Sequence, residues 1–124
     1  MMHNTYEQRE IEKINNQMNN LSHEPLHIRK QSRADYAEIM RDNPDLVVEG
    51  IGDMLRGDYD EGAYIICKNI IANPRMNRIA ALSAMIGSLK WQCSALDCRK
   101  AYLSLNKDEQ DTINAKIQTL IDEQ

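Results

Sequence analysis

Phenylalanine is missing from the chain altogether, and aromatic residues of every kind make up only 5% of it. A core must therefore be assembled from Ile, Leu, Met, Val and Ala, side chains that suit helix packing. Seven methionines lend such a core plasticity. Cysteine is scarce and odd in number, with three residues and no C-x-x-C. That pattern excludes a secreted disulfide framework and a thioredoxin-like redox motif, and is expected of reduced thiols in the cytoplasm. Long apolar runs are absent too: no stretch approaches the roughly 20 residues that span a bilayer. The opening MMHNTYEQREIEK lacks the apolar stretch of a signal peptide. A cytoplasmic protein without a membrane span is the expectation.

Catalytic and metal-binding signatures are lacking as well. There is no G-x-S-x-G, no P-loop and no H-E-x-x-H. The acidic GDYDEG lacks the alternating oxygen ligands of a calcium loop. Cys93 and Cys98 stand in a C-x4-C pattern, Cys67 lies far away, and His3, His23 and His27 are all in the N-terminal third. Structural zinc needs four ligands with pairs at knuckle spacing, and this set does not provide them. No enzyme, no metal and no cofactor are expected. Cys67, beside Ile66 on an apolar helix face, is expected in the core.

What the sequence has in quantity is helix signals. Its 124 residues make one domain, long enough to bury a core. Thr5 with Gln8 reads as a capping box, followed by Ile11, Ile14, Met18 and Leu21 at helical spacing. The asparagine run NNQMNN is poor helix material, so residues 1–30 are expected to form a marginal helical arm and a linker broken at Pro25. Such an arm would gain stability by docking, and would offer Ile11, Ile14 and Met18 as an apolar contact or a route to a homo-oligomer.

Residues 31–124 are expected to form the helical domain. Ser32 with Asp35, Asn43 with Pro44, Asp58 with Glu61, Asn73 with Pro74, Ser94 with Asp97 and Asn106 with Glu109 each read as a helix start. Gly57 reads as a left-handed stop. Gly50 and Gly52 weaken their helix by about 1 kcal/mol each unless they admit a neighbouring helix. No stretch shows the alternation of strands. The fold class is all-α, a compact orthogonal bundle of six or seven short helices.

Charge is segregated along the chain, whose net value is −4. Residues 44–72 and 108–123 are acidic, and residues 73–106 between them are basic. Each exposed pair contributes at most about 1 kcal/mol to stability, but segregation on this scale suits binding patches of opposite sign. The expected function is that of a non-enzymatic interaction protein, a regulator, adaptor or phage-type inhibitor. Asp53, Asp60 and Glu61 would then face a basic or nucleic-acid-binding protein partner.

The stretch IGSLKWQCSALDCRKAY supports an alternative. With Gly87 to Ser94 as a turn, and Ala81, Ala84 and Ala95 allowing a close crossing, it can be laid out as a helix-turn-helix. Arg75, Arg78, Lys90, Arg99 and Lys100 would then contact DNA. The negative net charge and the shortage of base-reading side chains count against it. Trp91 reads first as a core anchor at a helix junction, and second as an exposed contact.

Overall fold

Side-chain caps set most of the helix starts. The computed structural model describes the backbone of residues 5–21 and 32–124, and side chains of 6–18 and 32–124. Among these residues there are seven helices and no strand: α1 (Thr5–Leu21), α2 (Arg33–Asp42), α3 (Pro44–Arg56), α4 (Glu61–Ile71), α5 (Arg78–Trp91), α6 (Ala95–Ser104) and α7 (Lys107–Asp122). The chain is an all-α bundle, as its composition implies. Ser32 and Asp35 close a full capping box on α2, and Asn106 and Glu109 do the same on α7. Ser94 caps α6, Pro44 occupies the first turn of α3, and Gly57 ends that helix with a φ of 79°. The Thr5 side chain and the linker with Pro25, His23 and His27 lie outside the described residues.

Two starts differ from the sequence reading, and a third keeps its place without a side-chain cap bond. Asp58 does not cap α4: its N–H returns to the Asp53 carbonyl and completes the stop of α3, so Asp60 takes the cap and accepts from Ala63 N–H at 2.9 Å. Asn73 does not cap α5 either. Its Oδ1 accepts from Arg75 N–H and its Nδ2 donates to the Tyr6 hydroxyl, which leaves Asn77 to cap from Ala80 N–H. Asn43 stands before Pro44 as expected but makes no side-chain cap bond.

Helix α5 is the axis of the core. Nine consecutive residues, Ala80 through Ser88, are buried, which is possible only for a helix contacted on every side. Helices α1, α3, α4 and α6 all pack on it, with α7 touching it more lightly. Gly87 does not mark a turn. It sits inside α5, where a Cβ would lie 2.5 Å from Cys98 Sγ and 2.7 Å from Tyr36 Cζ. The helix continues to Trp91 and stops at Gln92, which adopts the left-handed conformation with φ 56°. Gly50 similarly lets α3 approach α5, since a Cβ there would lie 2.6 Å from Ile86 Cγ1. Gly52 meets only its own helix's Arg56 and, at an ordinary 3.8 Å, Leu120.

Helix α1 is part of this core, not an arm beside it. Ile11, Ile14 and Met18 are buried within the same apolar cluster as α5 and α6, so their apolar surface is spent mainly inside the chain. Polar bonds fix the helix along its length. Tyr6 meets Asn73, Glu7 accepts from Arg99 Nε at 2.9 Å, and Asn15 Oδ1 accepts from Ala95 N–H at the N-terminus of α6. Tertiary bonding compensates for the low helix propensity of the asparagine run.

Candidate interaction surface

The two acidic segments, held apart in sequence by the basic one, meet in space. Asp45 at the start of α3 accepts from Lys116 Nζ on α7 at 2.8 Å, and Glu109 on α7 lies 3.8 Å from Arg41 Nε on α2. Leu120 on α7 packs near Gly52 of α3. Residues 33–61 and 107–124 together carry fourteen Asp and Glu against five Lys and Arg. The rest of the chain is net basic, so charge is segregated along the sequence. On α3 the exposed residues Asp45, Leu46 and Glu49 continue to Asp53 at helical steps, one acidic stripe with Leu46 left 44% exposed within it. Carboxylates this exposed attract a partner over distance more than they hold it once bound.

The individual acidic candidates differ in what their carboxylates already do. Glu61 is exposed in the first turn of α4. Asp53 is paired with Arg56 on the surface. Asp60 is committed to its cap, so it is a structural residue before it is a binding one. Between α2, α3 and α7 lies a cleft of about 190 Å³, lined by Met40, Arg41, Pro44, Asp108, Glu109 and Thr112. Sequence spacing gave no sign of it, because its walls come from three helices. A second cleft of about 200 Å³ runs between α1 and α4 over Ile14, Ile66 and Ile70.

The basic candidates are largely engaged within the chain. Arg99 pairs with Glu7, their side chains 14% and 7% exposed. Arg78 donates to the Ile71 carbonyl and caps the end of α4. The guanidinium of Arg75 lies 3.8 Å from the centre of the Tyr6 ring, and Lys90 Nζ lies 5.2 Å from that of Trp91. Lys100 is exposed on α6. The α5–α6 pair does have a three-residue connection, but α5 is enclosed by its neighbours and α6 spends its arginine on α1. Trp91 is half-buried, its ring 5.8 Å from that of Tyr36, a position at the edge of the core.

The cysteines are core residues by position. Cys93 precedes the cap of α6 and Cys98 follows it in the first turn, the two places that form a hydrophobic staple, and both are fully buried. Cys67 lies against Met85, and burial pushes its thiol up to about 12. Burial likewise raises Tyr36 well above the ordinary phenol range, with the neighbouring Cys98 and Cys93 adding to it, while its hydroxyl donates to the Ser83 carbonyl. Among the described residues no three of His, Cys, Asp or Glu come together as a metal site, and no helix is long and apolar enough to cross a membrane. No known family model, curated protein sequence or solved structure matches the chain.

Proposed function

We propose that the chain is a non-enzymatic interaction protein that binds a basic protein surface through the acidic residues of α2, α3, α7 and the first turn of α4. The observation that carries this reading is the union of the two acidic segments on adjoining helices. A face of this charge complements the kind of surface that nucleic-acid-binding proteins present, and occupying it would make the chain an inhibitor or adaptor. The basic residues favour the opposite role less, because Arg78, Arg99 and Arg75 are already engaged by Ile71, Glu7 and Tyr6.

The test compares a short labelled peptide of alternating arginine and alanine with random duplex DNA, by fluorescence anisotropy over a salt series. Peptide binding that weakens with salt is expected, with Glu49, Glu61 and Asp111 changed together to lysine reducing it mainly through a slower association rate. Changing Lys90 and Lys100 to glutamate is expected to leave it intact. DNA binding that falls steeply with salt and is lost in the Lys90, Lys100 variant would replace this reading with the helix-turn-helix one.

A further inference from the structure

We infer that the cleft between α2, the start of α3 and the first turn of α7 seats an arginine side chain of the basic partner; this rests on the basic-partner reading above. The cleft holds about 190 Å³, room for one long side chain. Its walls are of two kinds. Met40 and Pro44 offer apolar contact for a three-carbon stem, and Asp108 and Glu109 stand at consecutive positions on α7 beside it.

Asp108 is exposed and in no ion pair among the described residues, and Glu109 is only loosely paired. Glu109 Oε1 accepts the Asn106 N–H of its own capping box, which leaves Oε2 for a cation. The cation it faces is Arg41, whose Nε is 3.8 Å away, too far for a hydrogen bond. A guanidinium of this chain thus already stands on the cleft wall in a loose pairing with Glu109, and a better-placed one from a partner would displace it. Arginine suits the site better than lysine because its planar fork bonds two acceptors at once while its stem lies on apolar surface. The N-terminus of α7 opposes a cation with about half a positive charge, which the two carboxylates outweigh.

The same arginine–alanine peptide tests the seat. Thr112→Trp fills the cleft without altering charge and is expected to weaken binding about tenfold, close to 1.4 kcal/mol. Arg41→Gln is expected to strengthen binding several-fold, and more than Arg56→Gln, which removes an equal charge from the same face away from the cleft. A lysine–alanine peptide is expected to bind more weakly and to be indifferent to Thr112→Trp. Circular dichroism confirms each fold, and Arg41→Gln keeps the comparison decisive should Thr112→Trp unfold.

If the peptide binds and Glu49, Glu61 and Asp111 matter, but Thr112→Trp is neutral and Arg41→Gln equals Arg56→Gln, the seat is wrong and the acidic face stands. Lysine and arginine peptides behaving alike would also refute it. No peptide binding at any salt concentration removes the basic-partner reading, and the seat with it.

Discussion

Three glycines lie in helix interiors beyond the first turn, and their surroundings predict three different responses to the same added methyl group. Alanine in place of helical glycine recovers about 1 kcal/mol of propensity wherever the space is open. At Gly52 the new Cβ meets the end of the exposed Arg56 side chain at 3.1 Å and Leu120 at 3.8 Å, so the guanidinium moves aside. Gly52→Ala is expected to stabilise the protein by about 0.5–1 kcal/mol.

At Gly50 the Cβ would lie 2.6 Å from Ile86 Cγ1, a fully buried branch that has little room to turn. Overpacking costs about 1–3 kcal/mol, so Gly50→Ala is expected to lose about 1 kcal/mol net of the propensity gain. Gly87 is the tightest case. Its Cβ would press on Cys98 Sγ at 2.5 Å and on the Tyr36 ring at 2.7 and 2.9 Å. That ring is held by the hydroxyl bond to Ser83 on one side and by Trp91 on the other. A net loss of about 2 kcal/mol is expected, or roughly 8 °C in Tm for a domain of this size.

Urea unfolding followed by circular dichroism and by Trp91 fluorescence measures all three, since the single tryptophan abuts the Gly87 crossing. Gly87→Ala paired with Cys98→Ala is expected to show coupling, because the second change vacates one of the clashing atoms. Gly87→Ala as stable as the parent protein, or the order of the three variants reversed, would refute the close crossing of α6 on α5 beneath the Tyr36 ring.

Other expectations test the remaining contacts. Glu7→Gln strands Arg99 in a buried setting and is expected to cost about 3–5 kcal/mol, with part recovered when Arg99 is also changed to methionine; equal stability of the single variant would show the pair to be solvated. Asp60→Ala is expected to cost about 1 kcal/mol and Asp58→Ala a few tenths, the reverse of what the Asp58–Glu61 spacing suggests. Asn15→Ala removes an acceptor from the start of α6 and is expected to cost about 1 kcal/mol by urea unfolding. Alkaline titration has a fixed sign. Burial raises Cys67 from 9.0 to about 12 and raises Tyr36 as well, so the folded state holds protons that the unfolded state has released. The stability that Cys67 contributes is complete below pH 9 and falls by about 1.4 kcal/mol per pH unit as the pH rises toward 12. A flat stability profile across that window, or fast reaction of Cys67 with a thiol reagent in the native state, would contradict its burial.

Features decided by neighbours along the chain are legible in the sequence itself. Ser32, Ser94 and Asn106 as caps, Pro44 as a first-turn residue and Gly57 as a stop each depend on bonds within a few positions. Where two local devices compete for the same residue, the pattern alone misleads. Asp58 and Asn73 both have cap-like spacing, but one completes the preceding helix and the other is drawn toward Tyr6, so Asp60 and Asn77 do the capping. Gly87 reads as a turn because glycine usually punctuates, and only Cys98 on the next helix and the ring of Tyr36, 51 positions upstream, explain a glycine kept within a helix. The acidic composition is plain, but the meeting of α2, α3 and α7 and the cleft between them depend on packing that no local pattern reports. The docking of α1 is hidden for the same reason, since its partners lie on α5 and α6.

That docking sets a delay during synthesis. Residues 6 to 18 cannot reach their bonding partners until Asn73, Ala95 and Arg99 have been made. At about 5–20 residues per second, the gap between Asn15 and Arg99 takes roughly 4–17 s. Throughout that interval the α1 sequence must wait beside a growing chain without finding a substitute for its place. A strongly helical segment with a broad apolar face would be sticky over such a wait. A narrow stripe of Ile11, Ile14 and Met18 diluted by asparagine is not, and the weak helix propensity that looked like a defect keeps α1 uncommitted until its partners on α5 and α6 exist.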